Sequence, residues 1–487
     1  MKRRPGSWKA GVWLWGAALL WSGGGEAASW EARDFTLDNG MRVILVREPK
    51  APVAVFQVWY KVGAMEEASG KTGLAHMLEH MMFRGTEEIG PGEYNKIVAR
   101  EGAEENAVTA HDFTMYFLKL ASDRLELAFR LEADRMRNLL LDPREFRSEN
   151  DVVREERRQR IDSNPSARLY EEFYSAAFSR HPYGRPVIGW MSDLQELTVG
   201  DLRDWYDRWY APNNAVLVVV GDVEFAQGEE LARRYFGPLP RNPALDHPPI
   251  AAEPEQGAER RLEIRDKKAK TPSWLAAWKA PSVADPSALE DIAALDVMVT
   301  ILGDGSISRL SRSLVEESKT AVGVGASYGG VGRDRGLLML SATPKDEAAI
   351  PEVEKRIFAE VALMAREPVD EGELQRAKNQ IIAAQIFLRD SVHQIGWIIG
   401  HVTLSGADWR LLERYDDHIR AVTPEQVRQV AQRYLPPHGV TVGVMRPGAE
   451  AGKGEATKAE DVAKSDAPTK TETPTPAASL DKREATP

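Results

Sequence analysis

The first half of the chain alternates between strand-like and helix-like patterns of hydrophobic and polar residues. Apolar runs flank an Asp-Asn-Gly turn within residues 35–46, and a third run covers residues 53–62, which together predict paired strands. Residues 73–84 have helical spacing, whereas residues 106–120 return to alternation. Two long helices are predicted next, over 122–141 and 143–161, followed after an interval by an apolar strand over 215–220.

The second half repeats this order of elements. Two strands precede a helix, two more strands and two long helices follow it, and a final strand ends the pattern. The predicted ranges are 261–265, 273–278, 288–302, 321–328, 336–343, 349–366, 371–389 and 440–445. The second half therefore reads as a diverged duplicate of the first.

Length and composition divide the chain into segments. A chain of 487 residues exceeds the size of one hydrophobic core, so two large domains are expected. Residues 238–259 are rich in Pro, Ala and charge, which is typical of a linker, and the end of the chain has no aromatic residue with which to build a core. We predict a signal segment (1–28), a first domain (29–240), a linker (241–259), a second domain (260–447) and a disordered tail (448–487).

The N-terminus has the pattern of a secretory signal peptide. Basic residues precede an apolar stretch over 10–21, and small residues follow as far as Ala28. The alternative is an uncleaved membrane anchor, but about a dozen apolar residues fall short of the roughly 20 that span a bilayer. The sequence predicts cleavage after Ala27 or Ala28, no stable membrane span afterwards, and a periplasmic mature protein.

Charge and cysteine content narrow the classes of partner. The net charge of −11 argues against nucleic acid, because binding phosphates needs Lys and Arg concentrated on one face. The chain has no cysteine, so disulfides are excluded. Any bound metal must therefore use histidine and carboxylate ligands.

One predicted helix contains the motif H-x-x-E-H. His76 and His80 lie four residues apart, so one helical face presents both imidazoles toward a single point, as zinc requires of two ligands. Glu79 lies near that face and is suited to act as a general base without being a ligand. The order is the inverse of H-E-x-x-H and is the inverzincin pattern.

A simpler interpretation is that the two histidines lie on the surface of an amphipathic helix. Three features argue against it: the chain has only nine histidines, a carboxylate stands where a base is required, and the neighbours of the motif are apolar. Buried imidazoles need partners, and a metal is the partner that this pattern favours. The apolar neighbours are Leu74, Ala75, Met77, Leu78, Met81, Met82 and Phe83.

The helix over 143–161 is the best source of a third ligand. Glu149 and Glu156 are two helical turns apart and share a face, so Glu156 could bind the metal while Glu149 orients a ligand histidine. Glu155 is the rival ligand, but it is turned about 100° from Glu156 on the helix. Composition alone favours a third interpretation, a solvated acidic face balanced by the neighbouring arginines.

Residues 62–86 read Val62-Gly-Ala-Met-Glu-Glu-Ala-Ser-Gly-Lys-Thr-Gly-Leu-Ala-His-Met-Leu-Glu-His-Met-Met-Phe-Arg-Gly-Thr86. This segment resembles the active-site signature of the pitrilysin/insulinase family of metallopeptidases, which includes the mitochondrial processing peptidases. The family's Asn-Ala strand is similar to Glu101-Gly-Ala-Glu-Glu-Asn-Ala-Val-Thr109, and its second glutamate motif to Glu149-Asn-Asp-Val-Val-Arg-Glu-Glu156. The likeness covers residues 35–446, and the spacing in the family assigns zinc to Glu156.

The resemblance implies an α+β fold in which two homologous domains, each a mixed sheet with helices packed on it, form a clamshell. The first domain would hold one catalytic Zn²⁺ per chain, and the second would be inactive. A substrate peptide would add as a strand beside Asn106, Ala107 and Val108, which favours extended or unfolded peptides. Glu79 and the metal would activate water for attack on the peptide carbonyl.

The second half departs from the pattern of family members that act alone. Those members have an Arg and a Tyr seven residues apart that hold the substrate and stabilise the oxyanion. Here Val315 and Val322 occupy those places, and neither can donate a side-chain hydrogen bond. Ala377 and Ala384 align with Glu149 and Glu156, so no second zinc site is expected.

These differences give one main hypothesis and two alternatives. The main hypothesis is a zinc endopeptidase that works with a homologous, noncatalytic subunit supplying the Arg and Tyr, or as a homo-oligomer. One alternative is a noncatalytic assembly or chaperone-like member of the same family. The other is a zinc hydrolase of small molecules, which the resemblance disfavours and the ligands alone do not exclude.

Overall fold

Two β-sheets organise residues 29–448, the part of the chain that the computed structural model describes. The predicted signal peptide and the predicted tail from residue 449 onward lie outside the described residues. The described residues pack as one compact unit. Within residues 29–448, no helix combines the length and apolar character needed to cross a membrane.

The first sheet has six strands in the order β1-β2-β6-β3-β5-β4. Neighbouring strands are antiparallel except β2 and β6, which are parallel. The alternating stretch 106–120 forms two strands rather than one, because the chain turns between Ala110 and Phe113. The strands are β1 (Ala32–Thr36), β2 (Arg42–Arg47), β3 (Val53–Tyr60), β4 (Glu104–Thr109), β5 (Thr114–Ala121) and β6 (Ala215–Gly221).

Eight α-helices accompany the first sheet. The helix that contains Glu149 and Glu156 begins where Pro143 takes the first position and Asp142 accepts backbone N–H groups, a favourable start. It continues directly into a π-helical turn, Arg158–Asp162. The helices are α1 (Leu74–Met81), α2 (Glu93–Arg100), α3 (Leu125–Arg137), α4 (Pro143–Arg157), α5 (Pro165–Ala177), α6 (Met191–Glu196), α7 (Val199–Trp209) and α8 (Phe225–Tyr235).

The second sheet repeats the first without its outermost strand. Its order is β7-β11-β8-β10-β9, and the pair β7/β11 is parallel, as is β2/β6. The matching order confirms the α+β prediction of two homologous sheet-and-helix domains. The strands are β7 (Arg260–Asp266), β8 (Ser273–Ala280), β9 (Ala321–Tyr328), β10 (Gly336–Pro344) and β11 (Thr441–Pro447). The helices are α9 (Leu289–Gly303), α10 (Ile350–Arg366), α11 (Glu371–Leu388), α12 (Val392–Leu404), α13 (Leu411–Ala421) and α14 (Pro424–Tyr434).

The two halves exchange one helix each. Helix α5 of the first half packs on β7 and β11 of the second sheet, and α12 of the second half packs on β3 and β6 of the first. The contacts are close: a Cβ added to Gly443 would lie 2.7 Å from Phe173, and one added to Gly400 would lie 2.2 Å from Trp59. Both faces of each sheet are thereby covered, which explains why the central strands are apolar throughout.

The segment 241–259, predicted as a linker, contains no helix or strand. It is nevertheless fixed, because the carboxylate of Glu253 accepts backbone N–H groups of Ser179, Arg180 and His181. Burial opposes ionisation of Glu253, but these hydrogen bonds hold its pKa at about 2. The connection therefore lies anchored on the first half.

Candidate active site

His76 and His80 lie on helix α1, whose buried N-terminus is capped by the side chain of Glu67. Gly73 precedes the helix with φ +86°, a conformation that suits glycine. The buried carboxylate of Glu67 accepts the N–H groups of Gly73 and Ala75, two donors that have no partner within the helix. This fixes the first turn of α1 and hence the direction of both imidazoles.

Helix α4 brings Glu156 to the two histidines. The ligand atoms of His76, His80 and Glu156 all lie within 4.8 Å of one another, and within the described residues this is the group of histidine and acidic side chains arranged to hold a metal ion. Nε2 of His80 is 3.3 Å from Oε2 of Glu156, and Nε2 of His76 is 3.9 Å from Oε1. The structure thus brings Glu156 to two histidines that lie 76 and 80 positions earlier in the sequence.

Glu149 lies behind His80, two turns before Glu156 on helix α4. Its Oε2 is 3.1 Å from Nδ1 of His80, and its Oε1 pairs with Nη2 of Arg84. The carboxylate is almost fully buried, with 4% of the side chain exposed. A carboxylate in this place orients an imidazole whose other nitrogen binds a metal.

The pKa values of the two histidines shift in opposite directions. Burial is the main influence on His76 and lowers its pKa to about 4, with a further contribution from His80. Burial acts in the same direction on His80, but hydrogen bonds to Glu149 and Glu156 outweigh it and raise the pKa to about 9. Burial opposes ionisation of Glu156 too, yet its bond to His80 holds its pKa below the usual value. Negative charge is concentrated around His80, as a cation site requires.

Glu79 lies on the same helix and faces the strand β4. Thr109 Oγ1, at the end of that strand, donates a hydrogen bond to Oε2 of Glu79. Burial raises the pKa of Glu79, against the opposing effect of the Thr109 hydrogen bond. A raised pKa is the direction that suits a carboxylate acting as a general base near neutral pH.

Asn106, Ala107 and Val108 lie on an edge strand. Within the described chain, β4 pairs only with β5, so its other edge is free. Ala107 is buried against the core beneath the sheet, and its N–H group donates to Oδ1 of Asn106 over 2.9 Å. Such an edge is open to pairing with an extended peptide.

A cavity of about 570 Å³ opens beside the three candidate ligands. His76, Glu156 and Thr109 form one side of it, and the end of the π-helical turn, α5 and residues 183–188 form the rest. A second cavity of about 520 Å³ shares His111, Tyr174 and Tyr183 with the first and continues along Val108 toward β9 and β10. Together they offer an elongated space next to the edge strand.

The remaining predicted positions are not part of this cluster. Glu155, the rival ligand, is exposed and contacts Arg158 and Gln159. Val322 is 66% exposed on the edge strand β9, and Val315 is half-buried in a π-helical turn. Ala377 is buried in α11, and Ala384 is exposed on the same helix.

Three residues contact the site that the sequence analysis did not single out. Thr109 bonds to Glu79, Arg84 pairs with Glu149, and Nη1 of Arg160 lies 2.7 Å from Oε1 of Glu156. The signal for the two arginines is their spacing. Arg84 is four residues after His80 and Arg160 four after Glu156, so each continues the face that already bears a site residue.

The donor set fits a zinc ion. Two imidazoles and one carboxylate are a common set of protein ligands for catalytic zinc, which leaves a position for water or substrate. Nε2 of His76 and Nε2 of His80 both face the carboxylate of Glu156, so each imidazole directs one ring nitrogen toward the same point. His80 has Glu149 behind it, which is the support a ligand histidine needs.

Comparison with known proteins identifies similar peptidases. The family model of insulinase (peptidase family M16) matches residues 42–190, and that of the peptidase M16 inactive domain matches residues 196–381. The zinc protease PqqE of Helicobacter pylori is 34% identical over 346 residues, covering 70% of this chain and 77% of the relative. A probable mitochondrial-processing peptidase subunit beta of Arabidopsis thaliana is 24% identical over 428 residues, 86% of this chain and 78% of the relative. A crystal structure of a protease from Helicobacter pylori has a TM-score of 0.81 at 30% identity and covers 86% of this chain and 100% of that one.

Proposed function

The chain belongs to the insulinase family of peptidases (peptidase family M16), and on that basis we propose that it is an exported, zinc-dependent endopeptidase that cleaves extended or unfolded peptides. The observation that carries the proposal is the convergence of His76, His80 and Glu156 beside Glu79. These residues come from two helices, α1 and α4, and together they provide ligands for a metal and a carboxylate suited to proton transfer.

In this proposal His76, His80 and Glu156 would hold the zinc ion, with Glu149 orienting His80. When bound, zinc supplies Lewis-acid chemistry, which polarises a carbonyl and makes water a better nucleophile at neutral pH. Glu79 takes the proton from the attacking water and later delivers it to the leaving amine. Thr109 holds the carboxylate of Glu79 in place for both transfers.

The peptide would bind along the free edge of β4. Its backbone pairs with the strand near Asn106, Ala107 and Val108, so binding depends on an extended conformation more than on sequence. The Ala107 N–H group, held by the side chain of Asn106, becomes available to the peptide when that side chain rotates away. A folded protein cannot enter such a site, which limits substrates to unfolded or flexible segments.

A homologous partner subunit or a second copy is part of the proposal. Val315 and Val322 cannot supply the hydrogen bonds that an Arg and a Tyr would give a substrate. One of the relatives is named as the beta subunit of a processing peptidase, which supports a division of labour between chains. In a heteromer the partner would supply the Arg and Tyr; a homo-oligomer would have to act without them. Export to the periplasm follows from the signal pattern of residues 1–28.

The test is zinc content and hydrolysis of a quenched fluorescent peptide by the mature chain, alone and mixed with a candidate partner. Glu79→Gln is the matched control, because it should keep the metal and lose the base. Zinc binding with hydrolysis that Glu79→Gln abolishes supports the peptidase. Zinc binding without hydrolysis in any mixture contradicts it and favours a noncatalytic role in assembly.

A further inference from the structure

The cavity beside the candidate zinc ligands has an unbalanced charge. Its walls are mostly apolar and aromatic, and four of the residues lining it have a carboxylate or guanidinium group: Glu156, Glu171, Arg160 and Arg185. Both carboxylate oxygens of Glu171 already accept hydrogen bonds from Arg157, at 2.8 and 2.9 Å. The cavity therefore offers two guanidinium groups and, apart from a proposed zinc ligand, no available carboxylate.

Arg160 is the freer of these two guanidinium groups. Arg185 is half-buried and donates to the backbone oxygen of Glu67, which ties it to the wall. The side chain of Arg160 is 73% exposed, and its guanidinium forms an ion pair with Oε1 of Glu156. If Glu156 gives its charge to a zinc ion, the attraction between Arg160 and this carboxylate weakens, and the guanidinium can take another anion.

Arg160 lies in a π-helical turn at the cavity wall. Helix α4 changes from α to π geometry at Arg158, directly after Glu156 and Arg157. Arg160 and Ile161, both in this turn, line the cavity together with Glu156, whereas Arg158 does not line it and pairs with Glu155. Single π-helical turns are rare and are frequently found at functional sites.

We propose that Arg160 is a specificity-determining residue that binds a carboxylate of the substrate peptide in this cavity, next to the scissile bond. The inference rests on the proposed peptidase function and adds a substrate class to it. An arginine is suited to this task because its planar guanidinium can bind a carboxylate through two parallel hydrogen bonds. The carboxylate can belong to an Asp or Glu side chain or to the C-terminus of the peptide.

The experiment measures peptide affinity in zinc-loaded Glu79→Gln protein, so that binding is read without turnover. A fluorescent peptide that the wild type cleaves is prepared with Glu, Gln or Lys in turn at each of the three positions that follow the scissile bond, and with a free or amidated C-terminus. Each peptide is titrated into Glu79→Gln alone and combined with Arg160→Gln. Arg158→Gln in the same background is the matched control, because it removes an arginine two residues away that does not line the cavity.

We expect the carboxylate-bearing peptide to bind about tenfold more tightly than its neutral counterpart, and Arg160→Gln to remove that preference while Arg158→Gln retains it. A preference lost on replacing Glu by Gln assigns the carboxylate to a side chain, and one lost on amidation assigns it to the chain end. Equal affinity for all peptides, or an equal loss for all peptides in Arg160→Gln, overturns the inference. Hydrolysis by the wild type is read separately, so a failure of the peptidase proposal is distinguished from a failure of the role of Arg160.

Discussion

The carboxylate of Glu149 lies 3.1 Å from Nδ1 of His80, on the far side of the imidazole from the nitrogen that faces Glu156. This contact fixes which ring nitrogen is free for a metal and holds the ring in the required plane. Because Glu149 is buried and also pairs with Arg84, its position is itself fixed. The orientation of the candidate ligand His80 therefore depends on a residue that does not belong to the ligand set.

The first prediction concerns this support. Glu149→Gln should weaken zinc binding by about 10- to 100-fold, because the ring loses its charged partner while His76, His80 and Glu156 remain. Zinc affinity is measured by competition with a chromogenic chelator. Glu155→Gln is the control, since Glu155 is exposed and points away from the site, and it should bind zinc as the wild type does. Equal affinities for the wild type and Glu149→Gln would contradict the role of Glu149.

The second prediction concerns Thr109 as a positioning residue for Glu79. Thr109→Val keeps the shape of the side chain but removes the hydroxyl that donates to Glu79. We expect kcat to fall by about 10- to 100-fold with little change in KM or zinc content, because a displaced base affects the chemical step. Thr109→Ser, which keeps the hydroxyl, should recover most of the rate. A change in KM alone would show that Thr109 acts on substrate binding instead.

The third prediction concerns stability and pH in the second half. Asp296 in α9 accepts a hydrogen bond from Tyr415, and burial raises its pKa from 3.8 to about 6 against the effect of that bond. The folded state therefore holds the proton more tightly than the unfolded chain, so this contribution to stability is complete below pH 3.8 and lost as pH rises through 6. Asp296→Asn should be about 2 to 3 kcal/mol more stable than the wild type at pH 7.5, and the difference should fall below about 1 kcal/mol near pH 4.

Chemical denaturation of both proteins without zinc, across this pH range, measures the difference. Tyr415→Phe serves as a second variant, because it removes the hydrogen bond that opposes the rise in the pKa of Asp296. It should make stability fall more steeply between pH 5 and 7.5. A stability difference between Asp296→Asn and the wild type that is constant with pH would show that Asp296 does not titrate in this range.

The fourth prediction concerns the helix exchange. In Gly400→Ala the added Cβ would lie 2.2 Å from Cε2 of Trp59, so α12 must move away from the first sheet. We expect a loss of about 1 to 3 kcal/mol in the free energy of unfolding, because overpacking strains a buried contact. Gly200→Ala in α7 is the matched control. Its Cβ has no neighbour closer than 3.6 Å, and the change should be neutral or stabilising by up to about 1 kcal/mol.

Local pattern predicted much of the fold. The alternation and helical spacing located most strands and the helices α1, α3, α4, α9, α10 and α11, since each of these buries a face within its own half. The sequence analysis assigned no range to eight other helices, α2, α5 to α8 and α12 to α14. Nor could it foresee that α5 and α12 pack on the sheet of the other half, because a helical pattern does not encode which surface covers the apolar face. The turn between β4 and β5 was missed because alternation continues through it.

In the candidate site, too, local spacing predicted some residues, whereas contacts between distant segments were not predicted. His76, Glu79 and His80 were predicted from spacing within one helix. Spacing within another made Glu149 and Glu156 candidates, and the family resemblance selected Glu156 as the ligand. Thr109 depends on how β4 lies across α1, and this distance in three dimensions has no signature in a helical pattern. Arg160 was counted among charges balancing an acidic face. Its spacing of four residues from Glu156 indicates a shared helical face, but the cavity that it lines is not readable from the sequence.

Because α5 and α12 pack on the opposite halves, the two sequence repeats do not correspond to two independently folding domains. Each half lacks one layer of its own core, which the other half provides. A fragment ending at the linker would leave Trp59 and the outer side of β3 and β6 without their cover, and the complementary fragment would do the same for β11. The two repeats therefore depend on each other to fold, in the way of an intertwined dimer whose subunits have been joined into one polypeptide.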